Sequence, residues 1–356
     1  MKDFDWGVIV CLIFLCGFGT AVVGSVRPDL VLTQIIFYFL GFGLFFLFSK
    51  IDHQIYQPLA TIIYLTAVVL LALTLFAGGE SRGAIRWIEF MGFRLQFSEI
   101  LKPFIIASLA AFLTKSWVKT VVLGIIPVLL ILKQPDLGSG IIYLLATEGM
   151  VFVSGINLLY LLAAGIGMVT FLPIVWHFLA DYQKNRVLTF LNPNLDPLGA
   201  SYNTIQALIA VGSGQFWGWG LGRGTQSQLL FLPEHHTDFV FASLAEELGF
   251  VGAGILLVIY FVLIWRLLTI VVKVPDIFGK LLGTGITAMI LGQIFINVGM
   301  NLGIVPVTGI TLPLISYGGS SILATFIALG IMQNIYSSCR RNENLVQSPL
   351  YGFLRR

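Results

Sequence analysis

Charge is what this chain has least of. Only 10% of its 356 residues are Asp, Glu, Lys or Arg, against roughly 25% in an ordinary soluble domain. That scarcity excludes a conventional water-soluble fold and a charge-driven nucleic-acid surface. Cysteine is nearly absent too. Cys11 and Cys16 share one apolar segment and Cys339 lies near the other end, which excludes a disulfide framework and leaves packing as their role. The first apolar segment, 7–26, is too long for a signal-peptide core and is followed by no A-x-A-type cleavage site, so it is expected to be a retained span. No internal repeat and no separate soluble domain is evident. What abounds is apolar: 57% of residues are hydrophobic, with 29 Phe and 38 Gly, as expected where helices face lipid and pack closely through small residues.

A bilayer core of about 30 Å needs about 20 apolar helical residues to cross it. The hydrophobic runs predict an all-α integral membrane protein of about ten spans, at 7–26, 31–49, 56–77, 99–114, 119–133, 137–154, 157–179, 237–266, 280–300 and 317–338. All belong to a single membrane domain covering 1–356, with long loops at 78–98, 180–236 and 301–316. With both termini in the cytoplasm, the inner segments carry eleven basic and five acidic residues. The outer side carries nine basic and eleven acidic. The positive-inside rule favours that orientation.

Orientation does not explain the outer basic residues Arg82, Arg86, Arg94, Lys102, Lys133, Lys184, Arg186 and Arg223. An anionic ligand on that side would, and so would pairing with the outer acids. Two spans are short: 119–133 rises about 22 Å and 99–114 about 24 Å. Their ends predict that Glu99, Lys102, Lys133 and Asp136 lie below the outer surface, buried between helices. Ionisable groups at such depth are costly and mark functional cavities. The span 237–266 is conversely too long, so its first turns are expected to stand above the core or bend into the outer loop. Glu148 is the remaining mid-membrane charge, read as packing or snorkelling.

Four segments carry the chemistry. In GGESRGAIRWIEFMGFRLQFSEILK, residues 78–102, glycines permit tight turns, and Arg82 and Arg86 suit a fork for phosphate oxygens. Ser98 is read there as an N-cap, with Glu99 in the first turn and Lys102 one turn on. In KQPDLGSG, residues 133–140, Pro135 ends one span and Asp136 caps the next, which accounts for the Asp but not for Lys133 beside it. In FLPEHHTDFVFASLAEELGF, residues 231–250, Thr237 is read as a cap with Asp238 in the first helical turn. A carboxylate there is explained by the helix dipole, or alternatively by work as a general base at the membrane surface. His235 and His236 lack a metal-ligand spacing. In NVGMNLGIVPVTGITLPLISYGGSS, residues 297–321, Pro306, Pro313, Gly309, Gly318 and Gly319 forbid a continuous helix. Irregular backbone near a membrane is tolerated where it lines a protein-enclosed cavity. Ser316, Tyr317 and Ser320 add neutral hydrogen-bonding groups; a plain connecting loop is the alternative.

In this order, these segments resemble the SEDS family (shape, elongation, division and sporulation), and its RodA branch more than its FtsW branch. The likeness runs over essentially the whole chain. It rests on RGAIRWI, KQPDLGS, YQKNR at 182–186, NPNLDPLGASYNTIQALIAVGSG at 192–214, FLPEHHTDFVFASLAEELG and PLISYGGSS. The chain departs from the family pattern at Phe97, where Pro is usual, and at Gln215, where Gly is usual. The resemblance implies a peptidoglycan glycosyltransferase of the bacterial cytoplasmic membrane that polymerises lipid II on the outer face during cell elongation. It implies Asp238 as the base that takes the proton of the acceptor 4-hydroxyl, with inversion and release of undecaprenyl pyrophosphate. Arg82, Arg86, Glu99, Lys102, Lys133, Asp136, Ser316, Tyr317 and Ser320 are then the expected pyrophosphate and substrate contacts. A divalent cation, Mg or Mn, is an expected helper without an identified ligand set. A class B penicillin-binding protein, a transpeptidase, is the expected partner, together with other membrane proteins of the elongation complex. Two other readings compete. A lipid II flippase should carry polar groups through both leaflets, whereas the charge here is concentrated on one side. A non-catalytic scaffold for the transpeptidase leaves Lys102 and Lys133 unexplained.

Overall fold

The computed structural model describes residues 4–77, 79–81, 84–90, 93–157, 181–192, 196–199 and 201–346, with single positions at 159, 170 and 177. The predicted span 157–179 falls almost wholly outside the described residues. In chain order the helices are α1 (Trp6–Val26), α2 (Val31–Lys50), α3 (Tyr56–Ala77), α4 (Phe97–Ile100), α5 (Lys102–Leu113), α6 (Trp117–Lys133), α7 (Leu137–Val153), α8 (Asp181–Leu191), α9 (Tyr202–Ser213), α10 (Thr225–Gln228), α11 (Val240–Lys273), α12 (Ile277–Asn301) and α13 (Gly319–Val346). Among the described residues, six segments are long and apolar enough to cross a membrane: Trp6–Val26, Pro28–Lys50, His53–Phe76, Val240–Lys273, Ile277–Asn301 and Gly319–Arg341. The helices Lys102–Leu113 and Leu137–Val153 are apolar but shorter.

Two expectations about loops are corrected. The segment 78–98 holds a three-stranded antiparallel sheet of β1 (Gly79–Ser81), β2 (Ala84–Phe90) and β3 (Phe93–Leu95), in the order β1-β2-β3. Its middle strand, AIRWIEF, is rich in residues that suit a pleated ribbon, and it pairs through Glu80↔Ile85 on one side and Glu89↔Arg94 on the other. The segment 180–236 is likewise not all loop, since it contains α8, α9 and α10.

The helices sort by what surrounds them. On α2 and α3, Leu32, Phe39, Ile62, Leu65 and Phe76 point outward, as lipid-facing helices require. By contrast α12 and α13 are largely enclosed by other helices. Glycine makes that enclosure possible. A Cβ at Gly285 would lie 2.6 Å from Ile106 Cγ2 of α5, and one at Gly292 3.0 Å from Leu145 Cδ1 of α7. On the far side, a Cβ at Gly41 would fall 2.2 Å from the Phe326 ring, and one at Gly330 2.7 Å from the Phe45 carbonyl oxygen. Small residues thus set the spacing of α2 and α13. Cys11, Cys16 and Cys339 are buried in this packing and form no disulfide, while Glu148 is exposed on α7.

The over-long span resolves into two pieces. Within α11, Gly249 takes φ 66° and ψ −166°, which breaks the helical path. The first part, 240–248, is buried at one end of the bundle. The second, Val251 to Lys273, rises about 34 Å at 1.5 Å per residue, enough to cross a bilayer core.

Gly330→Ala places its new methyl against backbone, which cannot rotate away. We expect a loss of about 1–3 kcal/mol, read as a lower thermal unfolding midpoint in detergent.

Candidate functional site

Two non-helical stretches, 231–239 and 302–318, face each other at the end of the bundle where α11 starts and α12 stops. Their backbone polar groups have no helix to satisfy them, and buried unpaired amides are costly. They satisfy each other. Tyr317 N donates to His236 O at 2.9 Å. Ser316 Oγ donates to Thr237 O at 2.6 Å and accepts from Leu312 N at 2.8 Å. Two buried amides on α12, one turn apart, complete the stitching. Asn297 Nδ2 donates to Asp238 O at 2.9 Å and to Ile310 O at 2.7 Å. Asn301 Nδ2 donates to Asp238 O at 3.1 Å, and its Oδ1 accepts from Ala242 N at 3.0 Å.

That geometry corrects the reading of Thr237 and Asp238. The helix begins at Val240, so Asp238 precedes it rather than sitting in its first turn. Thr237 does not cap; its hydroxyl bonds to Glu234. The cap on Ala242 N comes instead from Asn301, a residue distant in sequence. With its carbonyl fixed from α12, Asp238 is half-buried, and its Oδ2 lies 3.4 Å from where a Cβ on Gly309 would be. Gly309 has φ +77°, a conformation that favours glycine.

Beyond Gly309 lies a second polar cluster. A Cβ at Gly138, in the first turn of α7, would lie 2.9 Å from Thr308 O, so this turn and 308–310 are in contact. Asp136 caps α7, accepting from Ser139 N at 3.1 Å through Oδ1. Its Oδ2 accepts from Gln96 Nε2 at 2.8 Å and Ser98 Oγ at 3.1 Å. Lys102 Nζ donates to Glu99 Oε1, which also accepts from Ser139 Oγ at 3.1 Å. Glu99, Lys102 and Asp136 are 7%, 1% and 3% exposed. Their expected burial is therefore correct. Ser98 is not a cap, however; it lies within α4 and serves Asp136, while its carbonyl accepts from Tyr143 OH at 3.1 Å.

Lys133 departs from the expectation. It ends α6 exposed, with no ion pair among the described residues. The neighbour turned inward is Gln134, whose Nε2 donates to Leu71 O at 2.8 Å. The turn after α6 buries the neutral amide, which can pair with a carbonyl, and leaves the ammonium outside. Arg82 lies outside the described residues, as does the side chain of Arg86, whose backbone belongs to β2. Ser320 Oγ accepts from Gln96 N at 2.9 Å, tying α13 to the cluster. Ser316 and Ser320 therefore hold the fold together through their hydroxyls, and Tyr317 is half-buried beside the His236 ring at 6.1 Å.

No group of three or more His, Cys, Asp or Glu suited to a metal ion occurs among the described residues. The rings of His235 and His236 are 5.2 Å apart at 68°. His235 is buried, its Nδ1 is 3.0 Å from Leu232 O, and burial pushes its pKa down, favouring the neutral ring. In the polar cluster, Glu99 Oε2 has no hydrogen-bond partner among the described residues, whereas both oxygens of Asp136 are engaged. The cluster holds one unbonded, buried carboxylate oxygen, not a closed ligand shell for a cation.

The residues the sequence reading missed are Asn297, Asn301, Gln96 and Ser139. A signal was present for the first two: amide side chains at Gln293, Asn297 and Asn301, each four residues apart along a mostly apolar helix.

Two outcomes follow for stability. Asn301→Ala strips partners from Asp238 O and Ala242 N and should cost about 1–3 kcal/mol, measured by thermal unfolding. Lys102→Met leaves Glu99 buried without its cation and should cost about 3–5 kcal/mol, much of it recovered in the Glu99→Gln/Lys102→Met double variant.

Comparison with known proteins agrees over nearly the full length. The family model described as cell cycle protein, of the FtsW/RodA/SpoVE type, matches residues 7–341. Peptidoglycan glycosyltransferase MrdB of Escherichia coli (strain K12) is 40% identical over 307 residues, covering 84% of this chain and 83% of that protein. Stage V sporulation protein E of Bacillus subtilis (strain 168) is 37% identical over 315 residues, covering 85% of each. Among solved structures, a chain from a peptidoglycan synthase complex that coordinates polymerization and crosslinking superposes with a TM-score of 0.81 at 32% identity, covering 94% of this chain and 98% of that one. The Thermus thermophilus rod shape determining protein RodA superposes with a TM-score of 0.70 at 30% identity, covering 94% and 96%. The chain belongs to the FtsW/RodA/SpoVE family, the SEDS family of membrane proteins, and is RodA-like within it.

Proposed function

We propose that this chain is a peptidoglycan glycosyltransferase that polymerises lipid II, with Asp238 as general base. The observation that carries the assignment of the base is the placement of Asp238. Its carboxylate lies against Gly309, at the junction of two irregular segments, with a buried ionic cluster on the other side of 308–310. The carbonyl of Asp238 is held by two amides, so the carboxylate is carried on a fixed backbone, as a positioned base requires. In the reaction, Asp238 takes the proton of the acceptor 4-hydroxyl as that oxygen bonds to the donor's anomeric carbon. The bond from that carbon to the pyrophosphate oxygen breaks, and undecaprenyl pyrophosphate leaves with inversion.

Developing charge on the leaving group calls for cations. Lys133, exposed three residues before the α7 cap, is the described candidate; Arg82 and Arg86 are carried forward from the sequence. Lys102 already neutralises Glu99 and acts by shaping the cluster. A divalent cation would screen the pyrophosphate's charge when bound, and Glu99 Oε2, a buried cluster oxygen without a hydrogen-bond partner among the described residues, could face it.

The proposed topology has ten spans and cytoplasmic termini in the bacterial inner membrane. Support comes from the end of the bundle away from Asp238. Lys273, Lys280, Arg340 and Arg341 lie there, as does the Arg266–Asp5 pair at 2.7 Å. A class B penicillin-binding protein is the proposed partner, in keeping with the synthase complex that this chain resembles.

With purified protein, the transpeptidase partner and lipid II in detergent, Asp238→Ala should lower the rate of glycan formation about 10²–10⁴-fold while the variant keeps its unfolding midpoint. Polymer made equally fast by both forms would remove Asp238 as the base. Lipid movement without polymer would favour a flippase.

A further inference from the structure

The connection between α9 and α11 presents an apolar surface that the polymerisation chemistry does not use. Trp217 and Phe250 are 75% and 68% exposed, and Phe216, Trp219, Leu229 and Leu230 also face outward. Contiguous exposed patches of this kind mark a binding surface. Between 214 and 231 the only charged residue is Arg223, itself exposed.

The surface is rigid. Trp219 N donates to Glu246 O at 3.1 Å and Gly220 N to Glu247 O at 2.8 Å, while Phe250 N and Val251 N donate back to Gln215 O and Phe216 O at 2.9 and 3.2 Å. Two carboxylates with 0% exposure lock the far side. Glu246 accepts from Gln226 N at 2.7 Å and Ser227 N at 3.1 Å, and Glu247 accepts from Gly222 N at 3.0 Å and from Ser25 Oγ. Gly218 and Gly249 come so close that a Cβ on Gly249 would lie 2.3 Å from Gly218 N. Gln215 takes φ +47° at this turn.

Height in the membrane follows from α11. Val258, Phe261, Trp265, Leu268 and Val272 form its outward, lipid-facing stripe, and Val251 lies at the boundary on the Asp238 side. Phe250 continues that stripe, and the Phe216 ring stacks on it at 5.8 Å and 23°. The patch is therefore continuous with the lipid-facing surface and level with the headgroup boundary, where Trp is favoured. We propose that residues 214–231 and Phe250 form a rigid foot seated in the leaflet on the Asp238 side, with a lipid surface as its partner. The foot is bonded to the same helix segment that follows Asp238, so it fixes the height of that residue against the lipid headgroups.

Quenching in lipid nanodiscs tests this on the full chain. Phosphatidylcholine brominated near the headgroup end of its acyl chains is compared with the unbrominated lipid. The difference between wild type and Trp217→Phe/Trp219→Phe isolates this pair among the seven tryptophans. The pair's emission should fall at least about twofold in brominated discs and resist aqueous iodide. Emission that ignores the brominated lipid and yields to iodide would overturn the proposal. Protection from iodide that appears only on adding the transpeptidase would overturn it in favour of a protein partner. Phe preserves the apolar volume, and Asp238→Ala should show the same depth as wild type, so this result is independent of the polymerase reading.

Discussion

The structure depends on satisfying irregular backbone at the edge of a membrane. A helix supplies its own hydrogen bonds, whereas the stretches 231–239 and 302–318 do not. The amides of Asn297 and Asn301 resolve this for both stretches at once, because each Asn side chain carries donors and an acceptor in fixed geometry. Around that bond set the rest is arranged: α11 starts where Asn301 caps it, Gly309 approaches Asp238, and the first turn of α7 packs on 308–310. The candidate base is thus held by its main chain.

Carboxylates in this protein have three distinct roles, and burial alone does not separate them. Glu246 and Glu247 are fully enclosed, yet each is met by backbone N–H donors, so they act as anchors for the 214–228 connection. Glu99 and Asp136 are enclosed with a lysine and hydroxyls. Asp238 is half-open at the junction of the two stretches, as is Glu234, which bonds to the Thr237 hydroxyl. Partner chemistry, more than depth, distinguishes the anchoring carboxylates from the one proposed as the base.

Glycine performs a complementary task. Along α12 and between α2 and α13 it lets backbones approach, and at Gly249 it breaks α11 so that one long apolar run serves both as a buried platform and as a span. The same break brings the 214–231 connection down to the membrane boundary. Height, junction and span are consequences of one φ value that a Cβ would strain.

Much of this was legible in the chain itself. Apolar runs about a bilayer thickness long announce the spans, and the shortness of 99–114 and 119–133 announced that Glu99, Lys102 and Asp136 would be buried, because a helix rises a fixed distance per residue. The cap at Asp136 was equally local. What the sequence could not decide were choices made between segments far apart: that Gln134 rather than Lys133 turns inward, that Ser98 serves Asp136 instead of capping a helix, and that Asn301 supplies the cap Thr237 was expected to give. Each of these bonds joins residues whose separation in the chain carries no periodicity to read. Sequence determines where a helix forms and how far it reaches, because those follow from local propensity and hydropathy. Which polar group satisfies which was decided only by the tertiary structure, since a buried donor takes whatever acceptor packing brings within about 3 Å.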